Sequence, residues 1–471
     1  MKILEKIIEY GFYLFIFLLP WQIRWIWQPG QLNQGSWEYG TFSFYGTEFL
    51  LLAILILGFI WILGRPKPEK NEQIDLFNYY IIIFVLILAS FISTYWAKDQ
   101  QLTLYAFIKL LEGLGLFGLI MSINFTFRRI AWTLVSSACL QSFLAIYQFL
   151  SQSVMGNKWL GIATQLPFAG GVSVVEDTSG RWLRAYGALP HPNILGGFLA
   201  ISLLLLIGLA FASKKKREKI IIFAVYVIVT AALFLTFSRE SWIGFAVAIV
   251  FLLYIILQSR NRELKLILAN FILISVMVAG LFSIFFPNEI LMRVGGGGRL
   301  EVKSTEERVS YYNQAYQLIS EKLFNPQTWY QGTGIGNYTL AVHDDINKNL
   351  YSWDYQPVHN LYVLMFAELG IEGMLVFLLL LYKIIKEIKN ERLIKHKEIL
   401  VSAKNLSVNE VVVLEKKFDY WFLVFSAMII AIAVISLFDH YFWTIYFGIM
   451  IFWLAIGLWL RNFKSSRYNY I

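Results

Sequence analysis

The sequence predicts an all-α polytopic membrane protein of about twelve transmembrane helices, on three observations. Of its 471 residues, 58% are hydrophobic and 15% charged, with a mean hydropathy of +0.59. A soluble domain lies nearer about 45–50% apolar and about 25% charged. Apolar runs of about 20 residues, long enough to cross a bilayer core as helix, recur along the whole chain. Lys and Arg gather in alternate loops between those runs, the asymmetry that marks cytoplasmic loops.

In order, the spans are expected at 8–27, 45–64, 76–95, 103–123, 130–150, 193–213, 219–237, 241–258, 264–286, 359–384, 419–438 and 441–460. The basic loops hold Arg65, Lys67 and Lys70; Arg128 and Arg129; Lys214 to Arg217; Arg260, Arg262 and Lys265; Lys383 to Lys417; and Arg461, Lys464 and Arg467. The other set is 28–44, 96–102, 151–192, the turn at Ser238–Glu240, 287–358 and Asp439–Tyr441. Both termini are therefore expected in the cytoplasm; an odd number of spans would place Arg461, Lys464 and Arg467 outside. The net charge of +9 is taken up by this topology, which argues against a nucleic-acid partner. Lys2 and Lys6 precede an apolar stretch without a small-residue cleavage pattern, so the first span is expected to be retained. The lone Cys139 gives no disulfide framework and no thiolate metal site. The 16 Trp suit belts at the membrane–water boundary.

Three parts follow: 1–286 with spans one to nine and an external loop at 151–192; an external loop domain at 287–358; and 359–471 with spans ten to twelve and a cytoplasmic loop at 385–418. Within 287–358, the Gly295–Gly298 run precedes an expected helix near 305–324, with Val309, Tyr312, Ala315, Tyr316 and Ile319 close to one face. No internal repeat points to an inverted-repeat transporter.

Four outer clusters carry the candidate chemistry. They are Arg181, Arg184, Tyr186 and Gly187 leading to His191-Pro192-Asn193; the turn Thr236–Ser241 with Arg239 and Glu240; Glu307, Arg308, Tyr311 and Tyr312 leading to Gly332, Gly334 and Gly336; and His359-Asn360 leading to Glu368 and Glu372. Arg181, Arg184, Arg239, Arg293, Arg299 and Arg308 lie outside against the positive-inside trend, with Arg24 near the same mouth. Arg is the side chain suited to bidentate recognition of phosphate. A neutral imidazole at His359 is placed to accept a proton from an attacking hydroxyl. Plainer readings stand beside these. An external Arg is commonly solvated, and His191-Pro-Asn is also a helix start. Gly332-x-Gly334-x-Gly336 has no following Gly-Lys-Ser/Thr and is also a turn. Lys109 and Glu112 are expected to form a buried i,i+3 ion pair, and Glu368 with Glu372 a carboxylate pair. No two His share a helix at ligand spacing, so neither a metal nor another cofactor is expected.

In these clusters, over about residues 180–375, the chain resembles the O-antigen ligase and polymerase superfamily. The resemblance implies a GT-C-like fold with a large, partly helical external loop. It also implies a metal-independent glycosyltransferase of the bacterial inner membrane. Such an enzyme moves a glycan from an undecaprenyl-diphosphate-linked donor to a glycan, lipid A core or protein acceptor on the external face. Carried over by motif, Arg239 and Arg308 would hold the diphosphate and His359 would act as base. Arg184, Arg181, His191, Asn360, Tyr312 and Glu240 would contact substrate. The alternative is a transporter or flippase of an anionic lipid-linked glycan, for which twelve spans and internal Arg would also serve.

Overall fold

The computed structural model describes residues 1–65, 76–177, 180–295, 298–405 and 419–468, apart from the side chains of 294, 390–405 and 464–468. Lys67, Lys70, Gly296, Gly297 and the 406–418 part of the expected cytoplasmic loop lie outside the described residues. About 72% of the described residues are helical. Among the described residues ten helices are long and apolar enough to cross a membrane. The expected spans two to nine correspond to α2 (Gly46–Gly64), α3 (Phe77–Ile92), α4 (Gln100–Ser122), α5 (Phe127–Ser151), α6 (Pro192–Ala212), α7 (Lys216–Leu235), α8 (Arg239–Gln258) and α9 (Arg262–Phe285). The expected spans one and eleven are occupied by shorter helices, α1 (Lys2–Leu18) and, near the C-terminus, Tyr420–Ile435.

The first span departs from expectation. Helix α1 stops at Leu18 because Pro20 has no N–H to carry it on; the Trp21 N–H bonds the Leu18 carbonyl instead. The chain then turns into β1 (Arg24–Gln28), which pairs antiparallel with β4 (Phe42–Tyr45). Between them β2 (Gln31–Leu32) and β3 (Gly35–Ser36) form a tight hairpin, with Asn33 and Gln34 at φ 47° and 62° as a two-residue turn requires. Trp25 and Trp27 remain exposed on this flap, a placement suited to the membrane–water boundary.

Helix α6 is the hub. Its apolar run has no polar face, so it is buried on every side, among α5, α7, α8 and Tyr420–Ile435. Two glycines let it approach its neighbours: a Cβ at Gly197 would lie 1.9 Å from the Tyr441 Oη, and one at Gly196 2.6 Å from the Ser241 Oγ. By contrast α9 exposes Leu273, Val276, Met277, Leu281 and Ile284, the pattern of a lipid-facing helix. Lys109 pairs with Glu48 on α2 rather than with Glu112, whose Oε2 has no hydrogen-bond partner. The expected i,i+3 pair is thus replaced by a link between spans.

Two long segments link the helices. Residues 151–192 carry β5 (Val174–Asp177) paired with β6 (Gly180–Leu183). Residues 287–358 carry α10 (Pro287–Gly295), α11 (Arg299–Leu323) and α12 (Tyr338–Ala341). Helix α11 presents Tyr311, Ala315 and Leu318 inward, at i, i+4 and i+7. Val309, Tyr312 and Tyr316 are exposed, so the expected apolar face was rotated from the one used.

Helix α13 (Leu361–Asn405) runs through the tenth span and on through half of the expected cytoplasmic loop. It breaks at Gly370, where φ is 71° and ψ −169°. The carbonyls that the break frees are taken by the Gly332–Gly336 loop. The Thr333 N–H donates to the Ala367 carbonyl at 2.8 Å, and the Gly334 N–H to the Glu368 carbonyl at 2.9 Å. Glu368 is buried and Glu372 exposed, so these two do not form a carboxylate pair. The chain closes with α14 (Tyr420–Ile435), α15 (Tyr441–Thr444) and α16 (Tyr446–Tyr468).

Candidate functional site

The turn between α7 and α8 organises the site. A helix C-terminus leaves its last carbonyls without partners and carries partial negative charge. Here two buried arginines take them. The Arg184 Nε donates to the Thr236 carbonyl at 2.7 Å. The Arg293 Nε and Nη2 donate to the Phe237 carbonyl at 3.2 and 2.8 Å. Phe237 sits at φ 49°, a left-handed conformation a bulky residue rarely adopts, and this aims its carbonyl at Arg293. Glu301 of α11 pairs with both Arg293 and Arg239, the latter at 3.1 Å. Arg239 also donates to the Arg293 carbonyl at 2.9 Å. It stands in the first turn of α8, where the helix pole is positive, and its side chain is one-third exposed. Glu240 points inward and accepts from the Ser238 hydroxyl at 2.8 Å, which ties down the turn rather than facing the open site.

A polar relay joins this turn to the other helix starts. Asn193 accepts from the Arg184 Nη2 at 2.6 Å and donates to the Asp439 Oδ2 at 3.1 Å. His191 caps α6: its Nδ1 accepts from the Asn193 N–H at 3.1 Å, which leaves the proton on Nε2 to donate to the Ser173 hydroxyl at 2.8 Å. Burial, then the nearby Arg184, push its pKa down to about 3, so it is a neutral, structural imidazole. Asp439 accepts the His440 N–H at 2.7 Å. Burial raises its pKa, but His440, His359 and the Asn193 hydrogen bond outweigh that and leave it below the usual carboxylate value. Burial lowers His440 to about 4.

His359 lies beside this relay, its ring 5.2 Å from that of His440 and 5.8 Å from that of Tyr311. Its Nδ1 is buried without a hydrogen-bond partner. Burial first, then Arg308, lower its pKa, while Asp439 pulls the other way. Arg308 is half-buried and makes no hydrogen bond or ion pair with the described residues, yet its charge acts on both His359 and Arg239. Asn360 caps α13 through the N–H groups of Tyr362 and Val363 and donates to the Tyr312 hydroxyl at 3.1 Å. Arg184, Arg239, Arg308, His191, His359 and Glu240 thus come together. Arg181 lies on β6 with its Nε buried and unpartnered, and Arg299 is engaged at 3.0 Å by Glu176.

Among the described residues, His359, Asp439 and His440 are the group whose donor atoms could hold a metal, all within 4.8 Å of one another. Loop spacing hid this from sequence reasoning, since His359 and the Asp439-His440 pair are brought together only by the fold. Both Asp439 oxygens accept hydrogen bonds, and the His440 Nδ1 lies 2.8 Å from the Thr444 hydroxyl, contacts that orient these side chains. Sequence reasoning counted Arg293 only in the outer cationic cluster and did not single out Glu301, Asp439 or His440 as site residues. Two ionisable residues in so short a turn between spans were the available signal.

Residues 224–378 match the family model described as O-antigen ligase. No curated protein matches the chain. The match supports a membrane glycosyltransferase-type function in surface polysaccharide biosynthesis and, with the apolar helices, a bacterial inner-membrane protein. The matched stretch, about a third of the chain, includes the α7–α8 turn, Arg293, Glu301, Arg308 and the His359 start of α13, and it supports the likeness to the O-antigen ligase and polymerase superfamily.

Proposed function

We propose that the chain transfers a glycan from an undecaprenyl-diphosphate carrier to an acceptor hydroxyl at the external face of the membrane, with both termini in the cytoplasm. The observation that carries this reading is the pairing of an uncommitted cation, Arg308, with a neutral imidazole, His359, beside Arg239. In the reaction the acceptor oxygen forms a bond to the anomeric carbon and gives its proton to His359. The bond from that carbon to the diphosphate oxygen breaks, and the electron pair leaves with the diphosphate. Arg308 and Arg239, preorganised in a partly dry site, stabilise the charge that develops there. Arg184 and Arg293 act one step back, by holding the turn that presents Arg239.

The test is turnover by purified protein in nanodiscs, with a defined lipid-linked glycan, candidate acceptors and EDTA, products resolved by mass. A lengthened glycan with release of undecaprenyl diphosphate would mark a polymerase. Glycan on a lipid A core or a peptide would mark a ligase or protein glycosylation. Absence of covalent turnover, together with movement of the lipid across liposomes carrying the protein, would overturn the transferase reading in favour of a flippase.

A further inference from the structure

Two links between spans bring three metal-ligating side chains together. His359 stands in the bend before α13, and Asp439 and His440 in the link between α14 and α15. Each offers one donor atom, and the three atoms lie within 4.8 Å of one another. The two imidazole rings are tilted at 51° with centroids 5.2 Å apart, rather than stacked face to face. Donors on a tetrahedral zinc stand about 3.3–3.5 Å apart, on bonds of about 2.0–2.2 Å, so the trio need close by no more than about 1.5 Å. Neither histidine lies inside a helix, where such a movement would disturb the hydrogen-bond ladder.

The surroundings suit a cation. The His359 Nδ1 is buried without a hydrogen-bond partner, a state that costs free energy unless something fills it. The other two ligands are braced from behind. The Asp439 oxygens accept from the Asn193 amide and the His440 N–H, and a carboxylate has room for about two bonds more. The His440 Nδ1 lies 2.8 Å from the Thr444 hydroxyl, which leaves Nε2 for the ion. An Nδ1–H held by that hydroxyl is the arrangement that fixes a metal-binding tautomer. Among the charges that act most on His359, three are carboxylates, those of Asp439, Glu240 and Glu307, against the one guanidinium of Arg308. Two imidazoles and one carboxylate make a zinc donor set with a fourth position open.

We infer that His359, Asp439 and His440 bind one Zn²⁺ and that the bound ion switches off the transfer. The second half rests on the transferase reading, in which His359 takes the acceptor's proton. A neutral imidazole has one basic lone pair. A metal that takes it leaves the other nitrogen protonated, with no pair to receive a proton. Zinc is therefore an inhibitor that acts on the base, and turnover in EDTA is the uninhibited rate.

Tag-free protein in nanodiscs, stripped with EDTA and dialysed, is titrated with Co²⁺ as a visible stand-in for zinc. One Co²⁺ per chain should give the visible bands of a four-coordinate ion, and Zn²⁺ should abolish them. His440→Ala and Asp439→Asn each remove a ligand and should weaken Co²⁺ binding by at least about a hundredfold. Thr444→Val, which removes only the acceptor behind His440, should weaken it by about tenfold to a hundredfold. Zinc should suppress turnover of the unaltered protein and EDTA restore it. Each variant, compared with its own rate in EDTA, should need correspondingly more zinc. Absence of the four-coordinate spectrum, or a spectrum that His440→Ala and Asp439→Asn leave unchanged, would overturn the site. An ion that binds at these residues and leaves turnover untouched would overturn the inhibition and leave the transferase reading standing. Co²⁺ bound in the expected way by a protein that transfers nothing even in EDTA would keep the site and remove the transferase.

Discussion

The Asn193 amide donates to the Asp439 carboxylate at 3.1 Å, and so ties the start of α6, a helix buried on every side, to the turn before the last span. Both side chains are buried, and the Asn193 oxygen is held in turn by Arg184. One amide therefore separates a buried cation from a buried anion and satisfies both. Asn193→Ala leaves both charged partners short of a hydrogen bond. The expected cost is about 1.5–3 kcal/mol per charged partner left unpaired. Thermal unfolding in detergent checks this, and an unchanged midpoint would deny the relay a structural role.

Arg293 and Arg308 should fail in different ways when removed. Arg293 is buried against Glu301, and breaking such a pair by deleting one partner costs about 3–5 kcal/mol. Arg293→Ala is therefore expected to lower the unfolding temperature sharply. Arg308 has no partner to abandon, so Arg308→Ala should unfold like the unaltered protein while kcat falls by about 10²–10³, the effect of one preorganised charge donor. Unfolding curves beside turnover separate the two cases. Equal loss of stability in both variants would show that Arg308 has a structural partner.

Acidification tests His359. A base must be neutral to work, and burial together with Arg308 lowers its pKa. The acid limb of kcat/KM is therefore expected below the ordinary imidazole value of about 6.5. Removing a neighbouring positive charge eases protonation, so Arg308→Ala should move the limb upward. Removing a neighbouring negative charge does the reverse, so Asp439→Asn should move it downward. A limb that neither variant moves would take the proton-accepting role from His359.

Much of this was legible in the sequence because hydropathy and charge asymmetry act over whole segments. Helices α2 to α9 fall close to where apolar runs of span length lie. The first span was misread because its apolar content continues past Pro20 into a Trp-rich strand, where backbone chemistry and not hydrophobicity decides. The site was legible where an ionisable residue stands at a span boundary, as with Arg239, His359 and His191. Asp439 and His440 come into the site only by the packing of α14 and α16 against α6 and α4, which no local pattern encodes. The commitment of Arg184 and Arg293 to backbone carbonyls was likewise hidden, since it depends on the left-handed Phe237.

The break in α13 gives the last prediction. Gly370 combines φ 71° with ψ −169°, a region open essentially to glycine alone, and a Cβ there would lie 2.1 Å from the Tyr330 carbonyl oxygen. Gly332 faces it from the other side, where a Cβ would lie 2.1 Å from the Glu368 carbonyl oxygen. The two glycines let the loop close on the helix, and Glu368 then spans from Gly336 to Trp443. Gly370→Ala should push the loop outward, with backbone strain alone costing about 1–3 kcal/mol. Limited proteolysis of the protein in nanodiscs is expected to cut faster between Phe324 and Asn337. Gly280→Ala serves as the control, since a Cβ there meets nothing within 4 Å and α9 is a plain helix at that point. If Gly370→Ala resists protease as well as the control does, the loop is not held by the break in α13, and Glu368 keeps its place by the Trp443 bond alone.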